Sequence, residues 1–167
     1  MEINNLKSIR KITVFFIICL ALSGITAFPL VTEINFLEQH KDIFPNLLQD
    51  WILQIKTAIE QTDSVVLYGT DWLAFAHLII ASFFIGVYKD PVKNKFIVQV
   101  GIAACFAVFP LAFIFGPIRG IPLFHQLIDC CFGIVGLIPL LIIYRKIKIL
   151  ESGFSTTRLT TKQETSN

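Results

Sequence analysis

Residues 96–115 read FIVQVGIAACFAVFPLAFIF, twenty positions without a charge. An α-helix needs about 20 apolar residues to cross the hydrocarbon of a bilayer. Three more stretches outward from this one share the pattern, at residues 12–30, 71–88 and 122–144. With its Asp90-Pro91 start included, the third span extends over residues 91–115. A chain of 167 residues has too little polar surface to cover so much apolar surface in water. The hydrophobic fraction of 54% and mean hydropathy of +0.71 lie above those of an ordinary soluble domain. The expected fold class is all-α: an integral membrane bundle of four transmembrane helices plus one extracytoplasmic amphipathic helix.

Charge gives the expected topology. Lys7, Arg10 and Lys11 precede the first span, Lys89, Lys93 and Lys95 lie between the second and third, and Arg145, Lys146 and Lys148 follow the fourth. Basic loops stay on the cytoplasmic side. The segment after the first span carries Glu33, Glu38, Asp42, Asp50, Glu60 and Asp63 against only Lys41 and Lys56. Three separate loops therefore agree: residues 1–11 and the C-terminus are cytoplasmic, and residues 31–70 are extracytoplasmic. The expected location is the bacterial inner membrane. The first span could instead be a signal peptide cleaved after Ala21-Leu22-Ser23 or Ile25-Thr26-Ala27, leaving three spans. Its apolar run exceeds the roughly 7–15 residues of a signal core, which favours an uncleaved anchor.

Within the outer segment, Phe44, Leu48, Trp51, Ile55 and Ala58 recur at helical spacing, and Gln49, Asp50, Lys56 and Glu60 lie away from that face. This predicts an amphipathic helix over about residues 45–61, at the membrane surface or over the bundle mouth. Gly69-Thr70-Asp71 reads as a loop and a capped helix start, and Asp90-Pro91 as another. Gly116-Pro117-Ile118-Arg119-Gly120-Ile121-Pro122 reads as a tight outer turn that makes the third and fourth spans antiparallel neighbours. Pro110 and Pro139 should bend their helices, and Gly133 and Gly136 should allow close approach by a neighbour. The Thr/Ser-rich stretch over residues 150–167 reads as a disordered cytoplasmic tail.

Several activities are disfavoured. A net charge of +2, with Lys and Arg at helix ends, does not describe a nucleic-acid binder. Cys19, Cys105, Cys130 and Cys131 all fall in apolar stretches, without a C-x-x-C pair, and read as small hydrophobes. Ile18 before Cys19 does not fit a lipoprotein site. No internal repeat stands out, so an inverted-repeat transporter is not expected.

Ionisable groups within spans are costly and often functional. Here they gather toward the expected outer side: Asp71 and His77 in the second span, Arg119 in the turn, and His125 and Asp129 in the fourth span. At 1.5 Å per residue, His77 lies roughly 9 Å below Asp71, and Asp129 roughly 10 Å below Pro122. The similar depths predict a His77–Asp129 pair, with Asp71–Arg119 as a second pair nearer the surface. Each residue also has a structural role open to it. Asp71 suits a helix start, Arg119 can snorkel to headgroups, and His125 suits the interface. Asp129 must be paired, protonated or hydrated. His125 and Asp129 are spaced i, i+4 and can face the same way. With His77 they would supply two nitrogens and an oxygen to a metal, although no tight ligand motif accompanies them. A bis-histidine haem fits poorly, given the unequal depths of the two rings.

The stretch from Tyr68 to Leu141 resembles a family of small bacterial integral membrane proteins to which no activity is assigned. The residues that carry the resemblance are Tyr68-Gly69-Thr70-Asp71-Trp72, Asp90-Pro91-Val92, the Gly116–Pro122 turn and Leu127-Ile128-Asp129-Cys130. It covers a little under half of the chain and implies no mechanism or cofactor. The helix motifs of membrane glutathione enzymes are absent, as is the first-helix carboxylate of small multidrug transporters.

The leading expectation is a non-enzymatic, multi-pass membrane protein, such as a small accessory subunit, with an outward-facing polar cluster. Its partners would be the bilayer and another membrane protein or a second copy, not nucleic acid. The rivals are an ion- or proton-coupled solute transporter using Asp129 and His77, and a metal-dependent membrane enzyme.

Overall fold

The computed structural model describes the backbone of residues 2–164 and the side chains of residues 3–153. The chain is 89% helix with no strand among the described residues. The elements are α1 (Glu2–Ala27), α2 (Leu30–Gln39), a 3-10 turn (Lys41–Ile43), α3 (Asn46–Glu60), α4 (Ser64–Lys89), α5 (Lys95–Pro110), a π turn (Leu111–Phe115), the one-turn α6 (Gly116–Ile118) and α7 (Leu123–Glu164). Four segments are long and apolar enough to cross a membrane: Ile3–Ala27, Ser64–Lys89, Lys95–Ile118 and Leu123–Gly153. No more than 22% of the most apolar window of any of them is buried within the protein. Phe83, Phe96, Phe106, Phe132 and Val135 are among the many large apolar side chains left exposed. Such surface suits lipid contact, where exposed hydrocarbon carries no penalty.

The helix boundaries correct two local expectations. α4 starts at Ser64, not at Thr70 or Asp71. Asp63 makes this start: its Oδ1 accepts the Val65 N–H at 2.8 Å, and its backbone carbonyl accepts from Val66 and Leu67. Thr70 does not cap; its hydroxyl donates back to the Leu67 carbonyl at 2.6 Å. Gly69 was misread as a break, although apolar residues on both sides carry the helix through it. Asp90-Pro91 likewise does not open α5. It lies in a turn, where Asp90 Oδ1 accepts the Lys93 N–H and Asn94 Nδ2 donates to the Gly86 and Asp90 carbonyls. Asn94 thus adds a second donor to two carbonyls that already accept the Asp90 and Asn94 N–H groups, tying the end of α4 to the turn, and α5 begins one residue later.

α1 ends before Phe28-Pro29, and α2 follows, ahead of the amphipathic helix that the periodicity predicts. Leu30, Ile34 and Leu37 give α2 a narrow apolar stripe, and Ile34 is buried. α3 forms where the periodicity placed it. α7 runs through Pro139 to Glu164, and so overlaps the stretch after Leu150 that composition reads as a disordered tail. Residues 165–167 of that tail lie outside the described residues.

The chain forms two compact units: Met1–Ile18 with Ser82–Asn167, and Cys19–Ala81. In the first, Ile9, Phe84, Val87, Val98, Leu140, Ile143, Ile147 and Leu150 form a buried core. Phe16 and Phe84 pack with ring centroids 4.7 Å apart. α5 and α7 run antiparallel: Gly101 faces Leu140, while Gly133 faces the Cys105 carbonyl, where an added Cβ would lie 3.0 Å from the oxygen. After Pro110, which lacks an N–H and crowds the preceding turn, the backbone widens into the π turn. In the second unit α2 packs on α3, with Ile34 and Ile52 buried and Lys56 paired with Glu38. The Glu38 carboxylate accepts from the Lys56 ammonium and holds its pKa above the usual lysine value.

Thr13 departs from the expected satisfaction of buried polar groups. It is fully buried in α1, and its hydroxyl has no hydrogen-bond partner. Thr13→Val preserves the shape and removes that unpaired group. It should raise stability by about 1 kcal/mol, measurable as a higher unfolding midpoint in detergent.

Candidate functional site

The turn between the third and fourth apolar segments is built from a glycine, a one-turn helix and a buried amide. Gly116–Ile118 forms α6, and Gly120 reverses the chain at φ +69°, which an L side chain rarely adopts. The Ile121 N–H returns to the Gly116 carbonyl at 2.9 Å. Gln126, only 5% exposed, donates from Nε2 to the Ile121 carbonyl at 2.7 Å. Its side chain lies directly over Gly116, where an added Cβ would come within 2.6 Å of Gln126 Cδ. Gln126 therefore locks the turn that orients the start of α7. The amide between His125 and Asp129 was visible in the sequence but was passed over because it does not ionise. Gln126→Leu should leave the Ile121 carbonyl unpaired and cost about 1–3 kcal/mol. Faster hydrogen exchange confined to the Gly120–Leu123 backbone would register it.

The five expected site residues are divided between the two units, Arg119, His125 and Asp129 in one and Asp71 and His77 in the other. Arg119 is exposed at the end of α6, its N–H bonded to the Phe115 and Gly116 carbonyls. His125 stands in the first turn of α7, and Asp129 one turn further along. His125 Nε2 lies 3.9 Å from Asp129 Oδ1, so the i, i+4 spacing does bring them together, as an ion pair only when the imidazole is protonated. The Asp129 side chain is 46% exposed at the protein's surface, with the His125 ring as its neighbour.

His77 and Asp71 belong to the other unit. Asp71 sits inside α4, about 10 Å along the axis from Ser64, and so has no helix-start role. The His77 ring is engaged within its own helix: its Nδ1 donates to the Leu73 carbonyl at 2.8 Å. His77 Cβ also lies on the face that meets α1, 3.0 Å from where a Cβ on Gly24 would stand. The expected His77–Asp129 and Asp71–Arg119 pairs each draw on both units. Among the described residues, no three His, Cys, Asp or Glu side chains gather in a way that could hold a metal ion.

Comparison with protein-family profiles, with characterised proteins and with solved structures found no match.

Proposed function

We propose that this chain is a non-enzymatic, multi-pass protein of the bacterial inner membrane, acting as a small accessory subunit through its contacts with lipid and with a membrane partner. The observation that carries the reading is the exposure of the four apolar segments, in none of which more than 22% of the most apolar window is buried within the protein. The candidate polar side chains support a non-catalytic reading. His77 is engaged with its own helix and His125 with Asp129 one turn away. The orientation that fits has both termini in the cytoplasm. In its support, Arg10, Lys95 and Lys146, one from each basic segment, make contacts at the same end of one compact unit.

Reconstitution into sealed vesicles tests this reading against transport. The expected result is proton and ion flux no greater than in empty vesicles, and unchanged by Asp129→Asn. Flux that depends on protein and is abolished by Asp129→Asn would replace the accessory role with transport.

A further inference from the structure

The basic end of the unit formed by Met1–Ile18 and Ser82–Asn167 holds more positive charge than its acids neutralise. Its contacts show where the excess lies. Glu151 is taken by Lys95 at 2.6 Å and Lys148 at 3.9 Å, and Asp90 by Lys93 at 3.6 Å. Lys146 reaches Asn5. Among the described residues, these pairs leave Lys7 and Lys11 of α1 without an acid.

Lys7, Arg10 and Lys11 are spaced i, i+3 and i+4, so they share one exposed stripe of α1. Among the described residues, Lys7 and Lys11 have no acidic partner. Arg10 is fixed in place: Nε donates to the Tyr88 carbonyl near the end of α4 at 3.2 Å, and the guanidinium lies over the Tyr88 ring, 5.6 Å from its centre. This bond uses one edge of the fork and leaves its terminal nitrogens for another acceptor. A guanidinium presents paired donors to phosphate oxygens. Tyrosines characteristically stand at headgroup depth, and the stripe lies beside Tyr88, where a transmembrane α4 would leave the hydrocarbon.

We propose that Lys7, Arg10 and Lys11, with Tyr88 positioning Arg10, form a binding site for the phosphate of an anionic phospholipid headgroup. The proposal rests on the membrane reading above. Charge complementarity identifies the occupant: three adjacent cations at the interface, with the described acids at that end, Asp90 and Glu151, already paired, match a lipid phosphate in an anionic leaflet.

The test is retention of phosphatidylglycerol against phosphatidylcholine by the purified full-length protein, read by native mass spectrometry. Insertion is checked separately by flotation with phosphatidylcholine vesicles, so that failure of the membrane reading shows as loss of flotation. Wild type should retain phosphatidylglycerol selectively. The variant Lys7→Gln/Arg10→Gln/Lys11→Gln should lose about tenfold of that retention while floating normally. Lys7→Gln/Lys11→Gln, which spares the Arg10–Tyr88 bond, should lose part of it. The matched variant Lys93→Gln/Arg145→Gln/Lys148→Gln removes equal charge from the same end and should retain the lipid nearly as wild type does. Equal losses in the two triple variants, or no selectivity in wild type, would overturn the site. Competition by glycerol phosphate as effective as that by the lipid would overturn its assignment to lipid.

Discussion

Gly24→Ala is expected to destabilise the protein by about 1–3 kcal/mol, and Gly24→Leu by more. The added Cβ would stand 2.7 Å from the Ala74 carbonyl oxygen and 3.0 Å from His77 Cβ. The first neighbour is backbone and cannot move aside by changing rotamer, so α1 must shift away from α4. Between helices in lipid, tight packing supplies much of the attraction, so a shift of this kind is not offset by hydrophobic burial elsewhere. Gly69→Ala provides the contrast. Gly69 lies inside α4 with nothing within 4 Å of an added Cβ, and alanine there should stabilise the helix by roughly 0.5–1 kcal/mol. Unfolding of both variants in one detergent should therefore give changes of opposite sign. A neutral Gly24→Ala would show that the close approach is absent.

The second large effect is expected at Leu140. It is fully buried in the core with Phe84, Val87 and Val98, and Leu140→Ala should cost about 2–5 kcal/mol by opening a cavity. The same leucine limits Gly101. A Cβ on Gly101 would meet Leu140 Cδ1 at 3.0 Å and Phe84 Cζ at 3.2 Å. Gly101→Ala should thus be strained in the wild-type background and less so once Leu140 is shortened. The double variant should be more stable than the sum of the two single changes predicts. Additive free energies would show that the two positions do not press on each other.

These two sites also show what sequence alone conveys. The spans were legible because about 20 consecutive apolar residues have few alternatives to a membrane-crossing helix. The extent of α3 was legible because its periodicity runs over four turns, but its buried face is turned toward Ile52, with Lys56 part-buried against Glu38 and Ala58 exposed. Helix starts were harder to read. Gly69-Thr70-Asp71 carries the residue types of a cap, yet the Asp63 side chain lies earlier and its bond to Val65 sets the start. α2 was missed because ten residues with a three-residue stripe give little periodic signal. At the candidate site, the His125–Asp129 proximity followed from i, i+4 spacing. Depth arithmetic carries no azimuth, so it could not by itself specify a His77–Asp129 pair, which draws on both units. Gln126 and Thr13 were overlooked because neither ionises. Their importance comes from burial, which a single sequence does not display.

The central claim is four membrane crossings with both termini in the cytoplasm. Single cysteines in a background with Cys19, Cys105, Cys130 and Cys131 replaced by serine, probed with a membrane-impermeant thiol reagent in intact cells, test it most directly. The account predicts labelling from outside at Asp42→Cys, Asp63→Cys and Arg119→Cys, and protection at Lys7→Cys, Lys93→Cys and Lys162→Cys until the membrane is opened. Labelling of Lys93→Cys or Lys162→Cys in intact cells, or protection of Arg119→Cys, would contradict it.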